Sequence, residues 1–270
     1  MTKAYQNFIP QLWSARLLAN LDKNLVFANC VNRDYEGEIK NLGDTVKINQ
    51  IGDVRIGDYT GDVGAPEELS STQQVLTIDQ AKYFNFKVED IEAVQANVAL
   101  MEKAMARASY AIADHIDRYI ASFVANAGIV VSSEAVTKEN AYDKLVDLKV
   151  KFNKANIPQQ GRFVVLPPEY IGLLEKDDRF VKDYSRAVLQ NGVAPRVAGF
   201  DVLESNNVHM SETAFDVMAG TTMAISFAGQ IAKVEAYRPE QSFADACKGL
   251  YVFGAKVVEP KALAKMTCTF

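Results

Sequence analysis

Between Pro66 and Gly128 the chain has neither glycine nor proline, the two residues that most often punctuate a backbone. A stretch that long without a breaker must be spent on regular elements. Its first part alternates like a strand. Its second part, residues 89–126, repeats apolar side chains at Ile91, Val94, Val98, Met101, Met105, Ala108, Ile112, Ile116, Ile120 and Phe123. Steps of three and four place them along one helical face. At the rise of an α-helix the segment would reach on the order of 55 Å. A helix that long needs a neighbour along most of its length, so it reads as a spine across an extended molecule.

Three readings compete for it. Val94, Val98, Met101, Met105, Ala108, Ile112, His115 and Tyr119 keep the four–three alternation of a coiled coil. From Ile112 onward the stripe drifts to Ile116, Ile120 and Phe123, which suits a straight helix lying on a surface better. A membrane span is opposed by Glu102, Lys103, Arg107, Asp114, Asp117 and Arg118, which interrupt every apolar window. Asp114 and Arg118 are expected to pair one turn apart on the exposed side, worth roughly a few tenths of a kcal/mol.

Ahead of the spine, residues 45–51 alternate Val46 and Ile48 with Thr45, Lys47 and Asn49, the period of a half-exposed strand. A loop over 52–74 carries Gly52, Gly57, Gly61, Gly64 and Pro66, and the return over 75–88 places Phe84, Phe86 and Val88 on one face. Together they predict a long hairpin feeding directly into the spine. A two-stranded ribbon is marginal in water, so it needs a partner, and in an assembly that partner can be the next subunit. Further upstream, a short amphipathic helix is expected over 11–24, holding Trp13, the chain's only tryptophan. It either packs on its own domain or reaches a neighbouring subunit as an arm.

Downstream, Gly128 is read as the spine's C-cap and 129–131 as a short apolar run. A helix over 138–154 would bury Ala141, Leu145, Leu148, Phe152 and Ala155, ended by Asn156-Ile157-Pro158. Residues 162–166 read as a buried strand stopped by Pro167-Pro168, and 169–175 as a short helix. Strands are expected at 197–203, 223–227, 231–237 and 249–258. The order is mixed, without βαβ regularity or repeats, so the class is α+β with no linker between independent domains.

Composition sets outer bounds. A chain that is 49% hydrophobic and 23% charged is ordinary for a soluble folded protein. Its net charge of −5 argues against a tight DNA-binding module but leaves room for a container of DNA. Cys30, Cys247 and Cys268 are odd in number and lack a CxxC, so neither a disulfide framework nor a zinc site is supported. The N-terminus lacks the apolar core of a secretory peptide, which points to the cytoplasm.

Catalytic chemistry finds little to work with. Gly57, Gly61 and Gly64 do not match GxGxxG, and no GxxxxGK[ST] occurs. Asp53, Asp58, Asp62, Glu67 and Glu68 crowd the hairpin loop without EF-hand spacing. They form either a solvated tip or an electrostatic contact for a basic patch on another subunit, and Arg179, Lys182 and Arg186 are the nearest such patch. His115 on the spine and His209, placed in a loop, have no metal-ligand company, and no nucleophile motif appears. The sequence gives no reason to expect an enzyme, a cofactor or a metal.

The order of arm, acidic hairpin, spine helix, compact α+β region and late strands resembles the major capsid proteins of tailed phages, with the Hong Kong 97-type fold. Residues 8–48, FIPQLWSARLLANLDKNLVFANCVNRDYEGEIKNLGDTVKI, look like the N-terminal region of short-tailed-phage coat proteins. GRFVVLPPEYIGLLEKDDRF at 161–180 looks like the strand-and-helix start of the family's A-domain, and VAGFDVLESNNV at 197–208 like its later strand.

That resemblance implies a shell subunit assembling as pentamers and hexamers into an icosahedral capsid around double-stranded DNA. It maps 1–41 to an N-arm, 42–87 to an E-loop hairpin, 88–136 and 231–270 to a P-domain with the spine, and 137–230 to an A-domain. It implies a virion location after assembly in the host bacterial cytoplasm. The chain lacks a scaffolding-like extension, so a separate scaffolding protein is expected, with a portal as further partner. One relative's shell is locked by lysine–asparagine bonds from this loop. No lysine lies between Gly52 and Gln74 here, so no such crosslink is expected. An encapsulin-like compartment packaging protein, or a soluble ligand-binding protein or enzyme using the A-domain cleft, remain the alternatives.

Overall fold

A computed structural model describes residues 26–36, 41–51, 56, 71–89, 99–131, 135–177, 196–211, 213–241 and 244–270. Among these, the spine is helix α1, Ala99–Ser122, continued by a 3₁₀ turn over Phe123–Asn126. Met105, Ile112, Ile116 and Ile120 of the anticipated stripe are buried. Ala113, Asp117, Ala121 and Val124 widen it, so the helix lies on a broad surface and not along a coiled-coil seam. His115 and Tyr119, needed by the coiled-coil alternation, stand at its flank. Arg118 meets Asp114 at 2.9 Å as anticipated. No described helix is long and apolar enough to cross a membrane.

Glu89, where the periodicity begins the spine, still belongs to a strand; residues 90–98, with Ile91, Val94 and Val98 of the stripe, lie outside the described segments. Gly128 is not a left-handed C-cap. A Cβ there would stand 2.6 Å from the Pro260 carbonyl oxygen, which accepts the Gly128 amide at 2.8 Å, so the glycine permits a close backbone crossing.

Strands β1, Thr45–Ile51, and β2, Ser71–Thr77, pair antiparallel in unbroken register from Thr45↔Thr77 to Ile51↔Ser71. The return is not one strand, however. It breaks at Ile78-Asp79, and β3, Gln80–Glu89, leaves the hairpin to join a three-stranded sheet with β10, Ile225–Tyr237, and β11, Ala244–Val257. Tyr119 of the spine donates its hydroxyl to Asp79 at 3.0 Å, fixing the break. The stem has a small core of its own: Val46, Ile48, Leu76 and Ile78 pack on Ala228, Val252 and Val258.

The remaining strands form a seven-stranded sheet in the order β4-β12-β9-β5-β7-β6, with β8 beside β9. Its members are β4, Ile129–Val131; β5, Arg162–Leu166; β6, Arg196–Val197; β7, Phe200–Glu204; β8, His209–Ser211; β9, Ala214–Thr221; and β12, Leu263–Cys268. Strand β5 is buried throughout because the sheet is covered on both faces. Phe163 and Val165 join the core under the spine, while Val164 and Leu166 join the core under helices α2, Ala141–Lys154, and α3, Pro168–Glu175.

Helix α2 buries Ala141, Leu145, Leu148 and Phe152, but Ala155 is exposed because the helix has already stopped. Asn156 takes a left-handed φ of 57°. The Asn156 and Ile157 amides return to the Asn153 and Phe152 carbonyls, the bonding of a Schellman cap. Arg162, fully buried, closes the same corner: its guanidinium donates to the Pro158 and Ile157 carbonyls and to Asn153 Oδ1, and lies 5.4 Å above the Phe152 ring.

Three other expectations change. The strand expected at 197–203 is two, folded at Ala198-Gly199, both with positive φ. The strands expected at 223–227 and 231–237 are one, β10, bulged between Ile231 and Lys233. Strands β8, β9 and β12 were not anticipated, and His209 sits on β8 and not in a loop.

Candidate assembly surfaces

Trp13, Asp53, Asp58, Asp62, Glu67, Glu68, Arg179, Lys182 and Arg186 all lie outside the described residues. The structure neither joins nor separates the acidic cluster and the basic patch. It does fix where the acidic loop is rooted: the Ile51↔Ser71 pair closes its stem. Within the loop, Ile56 is described and is 98% exposed, an apolar side chain in solvent among acidic sequence neighbours.

A second surface is the outer face of the three-stranded sheet. One face of β3 turns Phe84 and Phe86, 5.9 Å apart, toward the core under the spine. By alternation the other carries Tyr83 and Asn85, and the register sets Leu250 and Lys248 of β11 beside them. Lys233 and Glu235 of β10 complete a shallow depression of about 310 Å³. Tyr83 is 79% exposed and Leu250 38%. Polar contacts hold the face in shape. Glu235 binds both Lys233 and Lys248, Lys248 stands 5.1 Å over the Tyr237 ring, and the Tyr237 hydroxyl donates to Asn85. The hydrogen bonds from Lys233 and Lys248 hold the Glu235 carboxyl below its ordinary range.

The third feature anchors the N-terminal segment. Asp117, buried on the spine, accepts the amides of Val26 and Phe27 at the start of a 3₁₀ turn over Phe27–Asn29. Phe27 and Ala28 are buried beside it. Asn32 then bridges to the start of β10, giving its amide to Ile225 and accepting that of Phe227. Sequence reading took Asp117 only as one more charge against a membrane span. The signal that it is buried was its place between Ala113, Ile116, Ile120 and Ala121.

The fourth is a polar knot across the seven-stranded sheet. Asp216 on β9, almost wholly buried, receives Lys265 at 2.9 Å, Thr267 at 2.8 Å and His209 Nδ1 at 3.1 Å. Burial raises its carboxyl, but the hydrogen bonds from Lys265, Thr267 and His209 outweigh that and hold it below the ordinary range. The knot ties β8, β9 and β12 together. Cys30, Cys247 and Cys268 are free and buried, their thiols pushed up to about 12, 11 and 12, chiefly by burial. Among the described residues no group of three or more His, Cys, Asp or Glu side chains is placed to hold a metal.

A spine on one face of a buried sheet and a second sheet opening into a hairpin fit a shell-building subunit. The comparisons agree. A family model described as phage capsid protein matches residues 72–266, so the chain belongs to the phage capsid protein family. A solved chain from Mycobacterium phage Che8 is 30% identical, with a TM-score of 0.75 over 90% of each chain. The capsid of cyanophage P-SCSP1u shares the fold at 14% identity, with a TM-score of 0.74 over 91% of this chain and 88% of that one. A virus-like particle from Pyrococcus furiosus shares it at 12% identity, with a TM-score of 0.61 over 96% and 99%. No curated protein matches the sequence. The protein is a major capsid protein with the Hong Kong 97-type fold, a structural component of the virion shell.

Proposed function

We propose that this subunit assembles with itself as pentamers and hexamers into an icosahedral shell, made in the host bacterial cytoplasm, that encloses double-stranded DNA without sequence-specific binding. A separate scaffolding protein and a portal complete the assembly. The observation that carries this reading is the likeness to a phage chain over nine-tenths of both lengths. In this reading, residues 1–41 are the N-arm, 42–87 the E-loop, 88–136 and 231–270 the P-domain, and 137–230 the A-domain. Strand β10, Ile225–Tyr237, runs through the last of these boundaries, so in this division the P- and A-domains share a strand.

The acidic residues Asp53, Asp58, Asp62, Glu67 and Glu68, with Ile56 among them, are the contact of the hairpin with the next subunit. Arg179, Lys182 and Arg186 are its basic counterpart, and Trp13 is the arm's apolar anchor. Closed symmetry multiplies such modest contacts into a strong shell. Expressing the chain alone and with its genomic neighbours, followed by size-exclusion chromatography and negative-stain microscopy, tests assembly. Closed shells or tubes are expected, and a discrete monomer in both preparations contradicts the reading. Nuclease-protected DNA in particles made during infection separates a genome container from a compartment for protein. Joint charge reversal at Asp58, Asp62 and Glu67 is expected to lower particle yield. Intact-mass analysis of particles is expected to show no lysine–asparagine bond.

A further inference from the structure

We propose that Asp117 is a protonation-controlled clamp that ties the root of the N-terminal segment, residues 26–32, to the spine helix. Three things hold that root: the buried Asp117 carboxyl, whose oxygens accept the Val26 and Phe27 amides at 3.3–3.4 Å, the buried plug of Phe27 and Ala28, and the Asn32 bridge to β10. Only the carboxylate can change its charge.

The groups around Asp117 leave it without a cation among the described residues. On its own helix, Arg118 is engaged by Asp114 and gives its Nε to Asn207 Oδ1 at 3.3 Å. From the segment after β7, Asn207 hydrogen-bonds the Asp117 carboxyl, while Glu204 adds a second acid nearby. From the N-terminal segment comes Cys30, a buried thiol turned onto the Val26 carbonyl. A cleft of about 380 Å³, lined by Val26, Tyr110, Asp114, Asp117, Arg118 and Asn207 among others, brings solvent to the carboxyl, so protons can exchange without unfolding.

Burial pushes the Asp117 carboxyl up to about 6, against the hydrogen bonds from Val26, Phe27 and Asn207, which lower it, and with some help from Asp114. A group whose value is raised in the closed state binds its proton more tightly there. The clamp is therefore fully closed below the ordinary carboxylate range and loosens as pH rises through about 6. With an open-state value near the ordinary 3.8, the closed-to-open ratio falls about tenfold between about pH 5 and about pH 8.

Hydrogen exchange on the full-length protein, read by mass spectrometry as protection factors so that intrinsic exchange divides out, tests this. For the wild type, protection of residues 27–32 is expected to fall about tenfold from about pH 5 to about pH 8. Asp117→Asn keeps a neutral acceptor and is expected to flatten that dependence to within about twofold, and Asp117→Ala to lose protection at both values. A flat wild-type profile, a tenfold fall retained in Asp117→Asn, or wild-type protection in Asp117→Ala overturns the proposal. If Asp117→Ala does not fold, the Asp117→Asn profile decides alone.

Discussion

The two sheets of this molecule are built on opposite terms. The seven-stranded sheet is covered on both faces, by the spine on one side and by α2 and α3 on the other, and its central strand exposes nothing. The three-stranded sheet is covered along one face, but on the other only where the hairpin stem packs on Ala228 and Val252 in a core of seven buried residues, and it leaves Tyr83 and Leu250 in solvent. The first region completes its burial within the chain. The second leaves apolar surface exposed, and we propose that it meets a neighbouring subunit in the shell.

Mutations that widen or erase this difference should be felt unequally. The largest effect is expected in the closed region. Phe152→Ala removes a ring stacked edge-on against Phe200 at 5.3 Å and the seat of Arg162. It should cost about 3–5 kcal/mol in denaturant unfolding of dissociated subunits. Asp216→Ala leaves Lys265 and His209 without their shared acid and should cost about 3 kcal/mol. Because the Asp216 carboxyl is held low, its contribution is present above the ordinary carboxylate value and is lost as pH falls below about 4. The wild type should therefore approach the variant in stability on acidification.

At the junction of the two regions, Gly254→Ala would press a Cβ to 2.3 Å from the Thr77 carbonyl oxygen, where the hairpin stem crosses β11. About 2 kcal/mol is expected, with increased proteolysis confined to 41–51 and 71–79. In the open region, Tyr83→Asp should change subunit stability by less than about 0.5 kcal/mol. It should nonetheless lower particle yield severalfold at equal soluble expression. Loss of subunit stability without loss of particles would reverse the roles assigned to the two sheets.

Periodicity made the closed region legible where a single element carries its own signal. The stripe from Met105 to Ile120, the face of α2 and the apolar run of β5 all lie where their spacing places them. What escaped were decisions made by distant partners. Strand β12 reads as a loosely apolar tail until β9 and β4 flank it, and the break at Ile78-Asp79 carries no glycine or proline to mark it. The place of Glu89 on a strand and not on the spine has the same origin, since it pairs with Ala244 across more than half the chain. Asp117 and Asp216 were invisible as sites because a lone acid is read as solvated until its donors are known. The proposed contacts on the acidic loop and basic patch rest on sequence and resemblance alone.

Hydrogen exchange compared between assembled particles and dissociated subunits tests the division of labour most directly. New protection is expected in 41–51 and 71–89 and along β10 and β11, with 141–177 unchanged. Protection gained mainly over α2, β5 and α3, with the hairpin and three-stranded sheet exchanging as in the free subunit, would contradict it.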